Sequence, residues 1–215
     1  MRLRICVPSN RDQSPLFTAS LVALVQHHCV NGVMGAKLED LKVVIKYGVS
    51  NIADARNDFV GEAIAQDFTH VLFLDDDMTF PYDLVSALNR WQKPIVTTNY
   101  CRKDAENLIY TAIGMDNKPV ESAGKKGLEQ VLRAGTGTML IELAAIKHIL
   151  YPWFANERDG ETNKLVTDDY FFCDKARAYG VEIHVDNGLS NAIGHIGPCV
   201  YNFDYYAKRN PASAA

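Results

Sequence analysis

His70–Met78 reads HVLFLDDDM, and its character changes at one peptide bond. Val71, Leu72, Phe73 and Leu74 form an unbroken apolar run, the pattern of a strand buried on both faces in a parallel sheet covered by helices. Asp75, Asp76 and Asp77 follow at its carboxyl end, where open α/β sheets keep their ligand sites. Two such charges ~4 Å apart repel by about 4 kcal/mol at an effective dielectric of roughly 20, and a divalent cation reverses the sign. The plainer alternative is a loop of solvated aspartates capping the helix that follows, because DDD-MTFP also reads as a helix opening.

Strands and helices alternate around this segment. Leu3–Val7 reads as a strand, followed by a helix near Pro15–His28, and Leu41–Lys46 (LKVVIK) as a second strand before a helix over Ile52–Gln66. In that helix Ile52, Ala55, Phe59, Val60, Ala63 and Ile64 mark one apolar face at helical spacing. His70–Leu74 is the third strand, Pro81–Trp91 a third helix and Pro94–Thr98 a fourth strand. This order predicts a parallel, doubly wound half with right-handed crossovers. The rhythm then changes. Asn107–Gly127 reads as a loop or irregular hairpin, and Glu129–Ala134 and Thr138–Glu142 as strands broken at Gly135-Thr136-Gly137. Leu143–Leu150 reads as a short helix, Pro152–Lys164 as a long polar loop, Thr167–Tyr179 as a helix stopped by Gly180, and Val181–Val185 as a strand. The closing KRNPASAA has the composition of a linker, so one domain is expected over 1–200 and a tail or linker over 201–215, suited to continuation into a longer polypeptide.

Composition narrows the function classes. The 215 residues suffice for one large core, and 47% apolar with 22% charged residues is ordinary for a soluble globular protein. A net charge of −4 without a basic stripe argues against nucleic acid as a partner; an acidic chain that handles an anionic substrate needs a cation between them. No segment approaches the ~20 apolar residues of a membrane span, and the apolar run of MRLRICVPSN is too short for a signal peptide. Cys6, Cys29, Cys101, Cys173 and Cys199 are scattered without CxxC spacing, so reduced thiols in a cytosolic setting are expected, with neither a disulfide framework nor a zinc site.

Five further groups carry candidate chemistry. Asp168-Asp169 opens a helix behind Thr167, a good N-cap, and capping explains one of the two carboxylates; the other is placed to accept a proton from a substrate hydroxyl. His195 lies between glycines in NAIGHIGP, a loop setting that suits ligation of a Mn²⁺-like ion beside carboxylates, although a lone histidine is more often structural. Pro8-Ser9-Asn10-Arg11 leaves the first strand on the same side as the aspartates and offers amides, a hydroxyl and a guanidinium to a nucleotide or phosphate. Arg56, in ADARND, reads equally as a phosphate clamp or as the ion-pair partner of Asp54 or Asp58, and Arg102-Lys103 is a cationic pair after the fourth strand. Neither G-x-G-x-x-G nor a Walker A motif is present.

Two families match the acidic strand end. LFLDDDMT satisfies the D-x-D-x-T pattern of haloacid dehalogenase-like phosphatases, with Asp75 as nucleophile, Asp77 as acid/base and Thr79 beside it. In that family the motif usually closes the first strand and the later acidic pair ends a strand, whereas here it closes the third and Asp168-Asp169 opens a helix. From Val7 to Gly197 the ordered set VPSNR, ARND, FLDDDM, NYCRK, AGTGTML, DDYFFCDKARAYG and GHIG resembles an inverting, family-2-like GT-A glycosyltransferase with a DXD motif. Its compactness is similar to that of the small glycosyltransferase domains of large algal DNA viruses and of phages, which implies the cytoplasm of a host cell.

The resemblance implies a GT-A (nucleotide-diphospho-sugar transferase) fold, with a Rossmann-like, mostly parallel central sheet flanked by helices and a smaller antiparallel part. It implies transfer of a hexose, with inversion, from UDP-glucose or another UDP-hexose such as UDP-rhamnose to a hydroxyl of a glycan or glycosylated acceptor. Asp75 and Asp76 would face the ribose and diphosphate, and Asp77 would ligate Mn²⁺ or Mg²⁺ with His195 and Asp75 as further metal residues. Pro8, Ser9, Asn10, Arg11, Arg56, Lys103, Gly135 and Thr136 would complete the donor site. Asp169 would be the base, with Asp168 its neighbour or substitute. A non-catalytic sugar-nucleotide-binding module is the reading from a different class.

Overall fold

A computed structural model describes residues 1–10 and 12–209. The first half follows the sequence closely: β1 (Arg2–Pro8), α1 (Pro15–Asn31), β2 (Asp40–Lys46), α2 (Ile52–Ala65) and β3 (His70–Leu74). Ser14 caps α1 by accepting from the Leu16 amide with Pro15 opening the helix, and Asn51 caps α2 by accepting from Ala53. Then come β4 (Met78–Thr79), α3 (Leu84–Asn89), β5 (Ile95–Thr97), β6 (Ile113–Gly114), β7 (Leu128–Arg133), β8 (Thr138–Glu142) and α4 (Leu143–Ile146). The last third holds β9 (Glu157–Arg158), β10 (Leu165–Val166), α5 (Asp168–Ala178), β11 (Ile183–Asp186), α6 (Asn187–Ser190), β12 (Gly194–Ile196), β13 (Val200–Tyr201) and α7 (Phe203–Arg209). The stretch read as a polar loop, Pro152–Lys164, contains one arm of a small hairpin, β9 paired with β10.

The central sheet runs β2-β1-β3-β8-β5-β11-β7-β6. β1 pairs in parallel with β2 and β3, and β5 with β11, while β8 lies antiparallel between β3 and β5. β7 is antiparallel to β11, and β6 to β7. Six strands therefore share one direction and β7 and β8 oppose them, which is the mixed but mostly co-directional sheet of an α/β fold. The expectation that the fourth strand sits directly in a parallel run with the third is corrected: β8 separates them. Its first four residues are fully buried, as in a strand covered on both faces, and the 135–137 break lets the chain return beside β3 in the register Leu74↔Thr138. A smaller antiparallel sheet, β13-β12-β4, completes the molecule.

Both faces of β3 are core. Val71 and Phe73 point into one cluster, where Phe73 meets Phe154 edge to face at 5.5 Å and Phe154 stacks on Phe172 at 4.5 Å, while Leu72 and Leu74 point into the other with Phe17, Leu24, Leu84 and Leu88. Burying each such side chain contributes about 1.5–3 kcal/mol, so the strand that ends in the aspartates is held firmly on both sides. Residues 201–209, expected as tail, carry a strand end and a helix: Tyr201, Phe203 and Tyr206 are buried with Cys101 in a third cluster. The remaining tail residues lie outside the described ones. Among the described residues no helix is long and apolar enough to cross a membrane.

Candidate functional site

The aspartates do not cap a helix. The Asp75 amide donates to the Gly137 carbonyl at 3.1 Å and the Met78 amide to the Asp75 carbonyl at 3.2 Å, so the chain turns tightly and enters β4, while α3 begins only at Leu84. β4 pairs antiparallel with β12 in the register His195↔Met78, and the Ile196 amide donates to the Asp77 carbonyl at 2.6 Å. This short pairing carries His195 to the carboxylates across more than a hundred residues of chain.

Each carboxylate has its own setting. Asp75 accepts from Arg56 Nη2 at 2.8 Å; burial raises its carboxyl above the ordinary range, Arg56 opposes this, and the charges of Asp77 and Asp169 add to the rise. Asp76 is buried and accepts from Ser9 Oγ at 2.6 Å. Asp77 pairs with Lys103 Nζ through Oδ2, and His195 Nε2 stands 3.5 Å from its Oδ1. Burial alone would raise the Asp77 carboxyl, but His195 and Lys103 together hold it well below the usual carboxylate range. His195 Nδ1 lies 3.0 Å from the Cys101 carbonyl, which only accepts, so Nδ1 donates there and Nε2 is the nitrogen turned to Asp77. The three aspartates, Pro8, Asn10, Lys103 and His195 line a cavity of about 240 Å³. Arg11, expected among them, lies outside the described residues.

Arg56 pairs with neither Asp54 nor Asp58. It is buried, with only 4% of its surface exposed, and bridges Asp75 to Asp168, which opens α5. The two aspartates at the head of α5 are thereby divided. Asp168 is buried against Arg56, and its amide donates to Asn156 Oδ1 at 3.1 Å. Asp169 is half-buried and accepts from the Thr167 hydroxyl and the Tyr170 amide. Thr167 occupies the N-cap position but makes no side-chain cap, because its hydroxyl goes to Asp169. Gly135 and Thr136 directly precede Gly137, whose carbonyl meets the Asp75 amide, yet they do not line the cavity. Thr136 is buried, and the Tyr100 hydroxyl sits where a Cβ on Gly135 or Gly137 would be, 2.3 and 2.8 Å away.

Sequence reasoning missed Tyr100, Asn156 and Tyr206. Tyr206 Oη lies 3.0 Å from the Arg102 carbonyl and 2.6 Å from that of Asp104, and so braces the backbone on both sides of Lys103. The signal was the aromatic run Phe203-Asp204-Tyr205-Tyr206, too apolar for a solvated linker.

Among the described residues no group of three or more His, Cys, Asp and Glu side chains gathers as a complete metal site. What the cavity does offer is a hard carboxylate oxygen and an imidazole nitrogen 3.5 Å apart, with Asp75 and Asp76 just before in sequence. That pair fits a Mn²⁺- or Mg²⁺-like ion that takes its other oxygens from a bound phosphate and water, as such ions commonly do.

No protein-family model matches the sequence, and no curated protein matches it. Among solved structures the chain is similar to A197 from STIV, with a TM-score of 0.59 and 16% identity over 92% of this chain and 86% of that one. It is also similar to GalNAc-T7, solved with UDP, GalNAc and Mn²⁺, with a TM-score of 0.53 and 10% identity; the match covers 91% of this chain and 44% of that one. At these identities the likeness is one of fold, and it agrees with the GT-A-type architecture expected from the sequence.

Proposed function

We propose that the chain is a metal-assisted glycosyltransferase that moves a hexose from a UDP-hexose, UDP-glucose or another such as UDP-rhamnose, to a hydroxyl of a glycan or glycosylated acceptor with inversion. The site of action under this reading is the cytoplasm, that of the host cell if the chain is viral. The observation that carries the reading is Asp77 held between His195 and Lys103 in a cavity at the carboxyl end of β1 and β3. Likeness to a fold solved with UDP and Mn²⁺ supports it. When bound, Mn²⁺ or Mg²⁺ would supply positive charge against the departing diphosphate.

The chain's own residues supply the rest. Asp77 Oδ1 and His195 Nε2 are the groups that would hold the ion, and Lys103 brings a cation to the same cavity. Ser9 fixes Asp76 at the cavity wall, and Arg56 fixes Asp75. Asp168 is committed to Arg56, whereas Asp169, at the head of α5, accepts from Thr167 and the Tyr170 amide close by in the chain. Asp169 therefore serves best as the base. It takes the proton of the acceptor hydroxyl as that oxygen bonds to the anomeric carbon, and the bond to the diphosphate breaks on the opposite face. The phosphatase reading is weaker, because its nucleophile, Asp75, is tied to the buried Arg56 and its strand is flanked by the antiparallel β8.

The test is release of UDP from a panel of UDP-hexoses by the native chain with Mn²⁺ and candidate glycans. Release with a β-linked product from an α-linked donor supports inverting transfer. No release from any donor, with UDP still bound, favours a non-catalytic binding module.

A further inference from the structure

Lys103 saturates one oxygen of Asp77 while His195 faces the other, so a divalent ion entering the cavity meets a carboxylate that already has a cation. Asp75 is engaged by Arg56 and Asp76 by Ser9. The backbone carrying Lys103 is braced, by Tyr206 at the carbonyls of residues 102 and 104 and by the Arg102 amide on the Ile109 carbonyl at 2.8 Å. The side chain alone is left to swing, on four rotatable bonds.

We infer that Lys103 is a resident counter-cation of Asp77, and that a divalent ion between Asp77 Oδ1 and His195 binds tightly only when a diphosphate arrives to draw the ammonium off Oδ2, which makes metal and nucleotide bind cooperatively. The inference rests on the reading of this cavity as a metal–diphosphate site. A metal ion alone, at Oδ1 and His195, would share one carboxylate with the Lys103 ammonium on Oδ2 and so stand close to a like charge. A diphosphate removes that conflict, because its oxygens take the ammonium and also coordinate the ion. Coupling follows from one exchangeable contact and needs no movement of the fold, and by linkage the metal strengthens nucleotide binding by the same factor.

The experiment measures Mn²⁺ binding to the full chain by the electron paramagnetic resonance of free Mn²⁺, with and without saturating UDP, in the native protein, Lys103→Met and Lys103→Arg. Circular dichroism checks that each is folded. The native chain is expected to bind Mn²⁺ about tenfold or more tightly with UDP than without. Lys103→Met should bind Mn²⁺ alone about tenfold more tightly than the native chain and show a correspondingly smaller effect of UDP, while Lys103→Arg keeps the charge and the native pattern. Equal Mn²⁺ affinity of native and Lys103→Met proteins without UDP, alongside UDP-enhanced binding in both, overturns the inference and leaves the site reading standing. Absence of Mn²⁺ binding even with UDP overturns both.

Discussion

Arg56 is the buried charge on which the two halves of the site depend, since its guanidinium touches Asp75 at the end of β3 and Asp168 at the head of α5. Removing one partner of a buried ion pair costs ~3–5 kcal/mol when the remaining charge is orphaned. Asp168→Asn leaves Asp75 in place, so its expected cost is smaller, about 2 kcal/mol of unfolding free energy in a urea titration. Asp169→Asn breaks no such pair and is expected to leave stability and UDP affinity near native while cutting transfer by ~10²-fold or more. If Asp168→Asn abolishes transfer at native stability and Asp169→Asn does not, the base is Asp168. The sequence showed that two adjacent carboxylates exceed what capping needs, but it could not divide their duties. Arg56 lies 112 residues from Asp168, and no local spacing encodes that contact.

At the scale of elements, the pairing of β4 with β12 delivers His195. It requires Gly194, because a Cβ there would lie 2.5 Å from both Thr79 Oγ1 and Val200 Cγ1, short branched side chains with little room to yield. Gly194→Ala is expected to displace β12 and lower Mn²⁺-dependent UDP affinity at least about tenfold, with near-native far-ultraviolet circular dichroism. Gly160→Ala, at a position with nothing within 4 Å, is the control and should behave as native. Glycines around His195 were visible in the sequence as a site of close approach, but the strand it approaches was not. Met78–Thr79 is only two residues long, too short to show a strand alternation of its own.

β3 also carries a pH dependence. Burial, with the nearby amino terminus, lowers His70 to about 4, so the folded chain keeps this ring neutral where the unfolded chain protonates it. The unfolded state then binds more protons between roughly pH 6.5 and 4, and stability falls as pH drops through that window. His70→Gln is expected to flatten that slope in urea midpoints measured from pH 7 to pH 4. An unchanged slope would mean that other groups set it.

Across the whole molecule, helix and strand periodicity located nearly every element of the first half, because each of those segments buries a regular face. The neighbours within the sheet were less legible. Thr138–Glu142 is a buried strand by composition, yet its insertion between β3 and β5 depends on long-range pairing that apolar content does not specify. The closing residues misled for the opposite reason. Pro, Ala and Ser at the very end have linker composition, while the aromatic residues just before them pack on Cys101 and brace the Lys103 loop. Fold and chemistry meet where the co-directional strands end, at Asp77. The most direct test is calorimetry of UDP binding to the native chain and to Asp77→Ala, each in Mn²⁺ and in EDTA. A metal held through Asp77 predicts native affinity at least about tenfold higher in Mn²⁺ than in EDTA, with that advantage lost in Asp77→Ala. Equal native affinity in Mn²⁺ and EDTA would contradict it.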